Sequence, residues 1–286
     1  MHHDNPRAAV PLSCRISTSL SQALERRRRE TGESVGHIVR HALAEYLQVD
    51  HATLFQVSTA GALVEGIYGG DVTIGLLREH GDFGLGTFVN LDGEMVVLDG
   101  HFYQVRDDGT VSEASDEEMS PYAMITRFSE PNEWKSVENC DSLAQLEAEI
   151  DAFRDSANVF YSVHVQGMFT SMRTRTVRLT PEGVPLVEAA SNQREFEFAN
   201  VRGSLVGFWS PSYMQSVLVA GYHLHFLSED RTLGGHLLDC AGEDLRVAVR
   251  READFRLSLP ESVSFLHADL TRDPSEDLDR AEKSHD

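Results

Sequence analysis

From Thr53 onward the sequence alternates short apolar segments with Asp-Gly dipeptides, and no other feature narrows the fold as much. Leu54–Val57, Phe83–Phe88, Glu94–Leu98 and Phe102–Val105 are separated or followed by Asp92-Gly93, Asp99-Gly100 and Asp108-Gly109. Asp and Gly accept the positive φ values that tight hairpin turns require, so this punctuation predicts antiparallel strands. Further strand-like segments fall at Val159–Val165, Arg173–Leu179, Gly203–Trp209, Tyr222–Leu227, Leu245–Val249 and Phe255–Leu259. Helices are few. Ser142 with Gln145 predicts a capped helix whose Leu143, Leu146, Ile150 and Phe153 share a core-facing side. Val111–Ser120 and the tail after Asp269 are acidic and read as a surface loop and a terminus. The expected body, residues 51–286, is α+β: a β-rich mixed sheet with few helices.

Residues 1–50 have a different texture. They carry seven arginines against six acidic residues, whereas the rest of the chain carries 18 basic against 40 acidic. Such asymmetry marks two modules with different partners. Val10, Leu12, Cys14 and Ile16 alternate with polar residues as in a short strand. Ser19 and Gln22 form a capping box that opens a helix through about Glu30, and Gly32 stops it. Ser34 caps a second helix with Val35, Ile38, Val39, Ala42, Leu43, Tyr46 and Leu47 on one stripe. A unit this small buries too little apolar surface alone, which points to a homodimer. Residues 10–48 resemble the ribbon-helix-helix (β-α-α) DNA-binding proteins. The resemblance implies a two-stranded ribbon in the major groove, with Ser13 and Arg15 reading bases and the Ser34 end of the second helix meeting a phosphate. Arg26–Arg29 would add phosphate contacts or form a solvated helix face. A dimerisation handle without DNA binding is the alternative.

Composition excludes several classes. With 286 residues, 41% of them hydrophobic, the chain has enough apolar surface for a large core. No run approaches the roughly 18 apolar residues of a membrane span. Met1–Pro6 has no apolar signal core, so a cytoplasmic protein is expected. Cys14, Cys140 and Cys240 form no CxxC pair and read as buried, inert hydrophobes. The net charge of −21 repels nucleic acid on average. Only two basic residues are lysines, Lys135 and Lys283, against 23 arginines, a balance suited to a salt-rich cytoplasm. Gly84-x-Gly86 lacks a third glycine at Val89, and there is neither a P-loop nor a Gly-x-Ser-x-Gly elbow.

The chemistry-bearing segment is Gly221–Leu227. On a strand, His223 and His225 project to one face while Tyr222, Leu224 and Phe226 fill the other. His236 follows Gly234-Gly235, and a hairpin return brings it alongside. Three neutral imidazoles with open coordination positions make a site for Zn²⁺ or a similar divalent metal. Three unrelated core or surface histidines remain the alternative. His223-x-His225-x-x-x-Glu229 also fits part of the cupin metal motif, although Gly221 is too near.

Leu54–Thr59, His80–Phe88, Leu91–Glu94, Arg173–Val177 and Gly221–Phe226 together resemble the α-acetolactate decarboxylases, from about Thr53 to near the C-terminus. The resemblance implies decarboxylation of 2-acetolactate to acetoin and CO₂, with zinc on His223, His225 and His236. It also implies acid-base and positioning roles for Glu94, Arg175 and, across a one-residue gap, Glu282. Tyr68-Gly69-Gly70-Asp71 departs from the family pattern and reads as a surface-turn change. The chemistry agrees: cleaving a β-keto acid sends two electrons to the ketone oxygen, and a divalent Lewis acid stabilises the resulting enediolate. A ribbon-helix-helix regulator that uses the body as a metabolite or metal sensor is the second function class.

Overall fold

The computed structural model describes residues 12–31, 34–47, 53–70, 72–128, 134–252 and 254–282. The chain divides into two compact units, Met1–His51 and Ala52–Asp286.

In the first unit, helices α1 (Thr18–Thr31) and α2 (Val35–Leu47) occupy the two stretches expected to be helical. The cap of α1 is Ser17, not Ser19: its Oγ accepts the Leu20 N–H at 3.2 Å. The expected strand is absent over residues 12–17, which are irregular and exposed, and Val10 and Pro11 lie outside the described residues. A strand needs a neighbour for its N–H and C=O groups, and a ribbon built from one strand per chain has none within a single chain. Ser13 and Arg15 therefore stand on irregular, exposed backbone, and Ser34 is exposed at the start of α2. Arg26–Arg29 are exposed on α1, with Arg28 paired to Glu25 at 3.1 Å. Cys14 is exposed rather than buried, while Cys140 and Cys240 are buried as expected.

The second unit begins with β1 (Thr53–Val57), α3 (Ala60–Val64), β2 (Val72–Thr73), α4 (Ile74–His80) and β3 (Phe83–Thr87). It continues through β4 (Glu94–Leu98), β5 (His101–Val105), β6 (Val111–Glu113), β7 (Met119–Ser120) and β8 (Tyr122–Thr126). Asp99 and Gly100 both have positive φ, 54° and 78°, and join β4 to β5 in the two-residue hairpin that Asp-Gly favours. The remaining elements are β9 (Lys135–Cys140), α5 (Leu143–Asp151), β10 (Tyr161–Thr176), α6 (Leu186–Ala190) and β11 (Arg194–Ser210). They end with β12 (Gly221–Ser228), β13 (Gly234–Arg251), β14 (Asp254–Ser258), α7 (Val263–His267) and α8 (Ser275–Glu282).

Seven strands form a mixed sheet in the order β14-β1-β8-β3-β4-β5-β6, in which only β1 and β14 run parallel. Five form a second sheet, β10-β11-β12-β13-β9, and β10 also pairs with β13. The pairing of the four long strands is thus cyclic, and they curl into a ring. Val163, Val165, Phe169, Leu205, Phe226 and Leu245 belong to the buried cluster of this ring, which Leu146 and Ile150 of α5 join. The α5 cap forms as predicted, with the Ser142 Oγ accepting the Gln145 N–H at 3.3 Å. Outside the ring, β11, β12 and β13 pack on β3 and β4. The layer between holds Leu85, Val96, Met124 and Phe208, joined by Leu186 of α6 and Leu278 of α8.

The second unit corrects further sequence expectations. The segments Val159–Val165 and Arg173–Leu179 fall at the two ends of one continuous strand, β10 (Tyr161–Thr176), not on two strands, and 177–179 lie beyond it. Val111–Ser120 is not simply a loop: it contributes β6 and β7 and buries Ala114 and Ser120. The tail after Asp269 carries α8, whose Leu278 and Ala281 are buried. Two apolar residues among acidic ones make a narrow stripe, but three positions apart on a helix they share one face. In the variant segment, Tyr68 is fully buried, and Asp71 lies outside the described residues. Among the described residues, no helix is long and apolar enough to cross a membrane.

Candidate active site

Strand register assembles the site. In the mixed sheet Thr87 lies opposite Glu94 on one side and opposite Tyr122 on the other. Directly opposed residues share a face, so Glu94, Thr87 and Tyr122 form a row across three strands. In the ring, His236 lies opposite both Arg175 and His225, which makes a second row. His223 is two residues from His225 and so on the same face. Gly235 permits this approach: its φ is +132°, and a Cβ there would lie 2.7 Å from the Arg175 carbonyl. Glu282 arrives from the last residue of α8. All of these side chains line one cavity, with Leu63, Leu91 and Leu278 among its apolar walls.

The three imidazoles offer ligand atoms within 4.8 Å of one another, and all three are buried. Arg175 Nη2 donates to Glu282 Oε2 at 3.1 Å, and the same oxygen is 3.5 Å from His236 Nδ1 and 3.9 Å from His223 Nε2. Glu94 Oε2 is 3.6 Å from His225 Nε2. Glu229, the distinguishing residue of the cupin-like alternative, is 74% exposed in its side chain and paired with Arg202 at 3.8 Å, so it plays no part in this cluster.

A family model for alpha-acetolactate decarboxylase matches residues 54–272. The alpha-acetolactate decarboxylase of Methylococcus capsulatus is 44% identical over 242 residues, covering 82% of this chain and 89% of that protein. That of Bacillus subtilis is 39% identical over 233 residues, 81% of this chain and 91% of the relative. The chain belongs to the α-acetolactate decarboxylase family. It is a carboxy-lyase of that family. The crystal structure of the Bacillus subtilis strain 168 decarboxylase superposes with a TM-score of 0.78 at 38% identity, covering 81% of this chain and all of that one. The family model ends ahead of α8, so it does not extend to Glu282.

Within this decarboxylase the electrostatics follow from burial. Desolvation, with the nearby Arg175 charge, pushes His223 down to about 3 and His236 well below the ordinary imidazole range. Desolvation, with the neighbouring His223, pushes His225 down to about 3. All three rings are therefore neutral at pH 7, as metal ligation requires. His225 Nδ1 donates to the Met95 carbonyl at 2.8 Å and His236 Nε2 to the Glu282 carbonyl at 3.1 Å. Carbonyls only accept, so these bonds leave lone pairs on His225 Nε2 and His236 Nδ1. Among the described residues, His225 Nε2 and His223 Nδ1 are buried without a hydrogen-bond partner. Orphaned imidazole nitrogens are costly unless something satisfies them, and a divalent cation does so. The trio thus fits a metal ion.

Glu94 is also perturbed. Burial raises its carboxyl to about 7, against the opposing pull of Arg175. Among the described residues, the buried Nε of Arg175 has no hydrogen-bond partner. Sequence reading did not single out Thr87 and Tyr122, because they join the site only through the register of β3 with β4 and β8. A separate, wider cavity of ≈ 410 Å³, lined by Asp82, Phe83, Trp134, His164, Arg231 and Arg246 among others, contains none of the three histidines, Glu94, Arg175 or Glu282.

Proposed function

We propose that this site converts 2-acetolactate to acetoin and CO₂ with zinc held by His223, His225 and His236. One observation carries the reading: three neutral imidazoles, a buried guanidinium and two carboxyls line a single cavity inside a family of carboxy-lyases. When bound, the ion supplies a Lewis acid for the keto and hydroxyl oxygens. Arg175, tied to Glu282 through Nη2, presents its free Nε to a substrate oxygen, either carboxylate or developing oxyanion. As CO₂ departs, the C–C bonding pair becomes a double bond to the keto carbon and the carbonyl π pair moves onto the keto oxygen, which leaves an enediolate. Forming acetoin then takes up one proton at carbon. Glu94 suits that delivery, because burial holds its carboxyl near 7 and lets it carry a proton at neutral pH. Glu282, fixed by Arg175 beside two of the histidines, serves as the second carboxyl.

Purified protein supplied with zinc should release acetoin from acetolactate, and a chelator should abolish this. No turnover with zinc fully bound would favour the alternative, in which the body senses a metabolite or metal for a DNA-binding regulator.

We further infer that residues 1–50 form a separate module that pairs with a second copy of the chain. Leu20, Tyr46 and Leu47 are 51%, 85% and 60% exposed, and helices this short hold apolar side chains in water only at a cost. Pairing would give residues 10–16 the neighbour a ribbon requires, with Ser13, Arg15 and the Ser34 helix end as DNA contacts. Deleting residues 1–50 should abolish self-association and any binding to upstream DNA at low salt, while catalysis persists. Full-length protein that dimerises but binds no DNA would leave the module a dimerisation handle.

A further inference from the structure

Tyr122 is 2% exposed on β8, directly opposite Thr87 and in one row with Glu94. It lines the cavity that holds the three histidines, Arg175 and Glu282. Its hydroxyl is buried with no hydrogen-bond partner among the described residues. Buried tyrosine hydroxyls normally find a partner, and one left without it costs free energy that a phenylalanine at the same place would avoid. Thr87, the adjacent hydroxyl in the row, is already satisfied, since it donates to the Gly93 carbonyl at 2.9 Å. Tyr68 is also buried without a partner among the described residues, but it does not line this cavity; of the two tyrosines, Tyr122 is the one beside a space where a ligand can sit.

We infer that the Tyr122 hydroxyl donates a hydrogen bond to the keto or hydroxyl oxygen of the bound substrate, an inference that rests on the decarboxylase reading above. Burial, reinforced by the Glu282 charge, pushes the phenol upward, so it stays protonated and acts as a donor. The oxygen chosen follows from the charge flow. A donor to the leaving carboxylate would stabilise the ground state more than the transition state, because that charge disappears as CO₂ forms. A donor to the retained oxygens is strongest when the enediolate charge peaks. A neutral hydroxyl gives this help without adding a cation that would compete with Arg175 for Glu282.

The test is Tyr122→Phe, which keeps the ring and removes the hydroxyl, in zinc-loaded full-length protein. The expected result is a loss of roughly ten- to hundredfold in kcat/KM, mostly in kcat, the scale for a hydrogen bond to a charged group. Acetoin, which retains both oxygens, should bind the variant at least fivefold more weakly by calorimetry. Zinc content should be unchanged, and the melting temperature of the ligand-free protein unchanged or higher. A merely structural hydroxyl would move the last readout the other way. Tyr122→Leu, which removes the ring too, should by contrast melt lower. A Phe variant with wild-type turnover and acetoin affinity, or one that melts lower than wild type, overturns the contact. A wild-type enzyme that leaves acetolactate untouched overturns the reaction itself, which separates the two failures.

Discussion

The two units of this chain are incomplete in opposite ways. The first exposes what a folded unit normally hides: Leu20, Tyr46 and Leu47 face solvent on α1 and α2. The second hides what a folded unit normally exposes: Glu94, Arg175, His223, His225 and His236 are all at most 8% exposed. Exposed apolar surface is relieved by covering it, so the first unit points to a partner. Buried polar groups are relieved by satisfying them, so the second points to a ligand.

The largest expected effect tests the second half of that contrast. His225→Ala removes one of three ligands and the ring anchored on the Met95 carbonyl. It should cost more than about 4 kcal/mol of transition-state stabilisation, or over a thousandfold in kcat/KM. Bound zinc, measured by elemental analysis, should fall with activity while circular dichroism is unchanged. Unchanged zinc would mean that the buried imidazoles serve packing and not a metal.

A buried polar group away from the cavity should behave differently, and Glu252 supplies one. It is 3% exposed and accepts the Thr126 hydroxyl at 3.0 Å, and burial raises its carboxyl to about 7. Between its ordinary 4.5 and about 7, the folded state keeps a proton that the unfolded state has released. Stability therefore falls as pH rises through that window, and the full penalty applies above it. Glu252→Gln should stabilise the protein at pH 8 by up to about 3 kcal/mol and leave it unchanged near pH 4. Denaturant unfolding at the two pH values checks this; an equal effect at both would show that the carboxyl is not held protonated.

The contrast also explains what was legible in the sequence. Period-2 alternation alone puts His223 and His225 on one face, with Leu224 and Phe226 in the ring core. Asp99-Gly100 specifies its hairpin because the turn is local. What pattern does not encode is which strands pair and in what register. Thr87 and Tyr122 join Glu94 through two such pairings, and β10 closes the ring on β13 through a third. The helix carrying Glu282 is hidden for another reason: its buried face amounts to Leu278 and Ala281 within an acidic tail. The alternation at residues 10–16 is genuine, yet a strand is a property of two segments, and residues 12–17 have no second one in a single chain.

On the side of the first unit, Leu47→Asp places a charge at a 60% exposed apolar position of α2. A helix pair that buries this position against a second copy should lose about 1–2 kcal/mol per copy, a tenfold or larger rise in the dimer dissociation constant by sedimentation. Acetoin production per chain should not change. Unaltered association would place the dimer contact elsewhere and remove the reason for reading the exposed stripe as an interface.

The smallest effect concerns charge. The whole chain holds 46 acidic against 25 basic residues, with the excess entirely beyond residue 50. Repulsion between exposed carboxylates is screened within ~10 Å at 0.1 M salt and ~3 Å at 1 M, so added salt should relieve it. Surface pairs such as Arg272 with Glu65 and Asp277, at 3.0 and 2.7 Å, weaken under the same screening, but exposed pairs each contribute only about 0–1 kcal/mol. Because acidic residues outnumber basic ones, relief outweighs that loss, and the decarboxylase unit should melt a few degrees higher in molar sodium chloride than in dilute buffer. Chloride is the informative salt, since sulfate strengthens apolar burial in any protein. The first unit, nearly neutral in net charge, should respond little, so self-association driven by its apolar stripe should survive salt that would dissolve a charge-driven contact. A melting temperature of the second unit that is flat or falling with sodium chloride would show that its acidic excess is already balanced by local pairing.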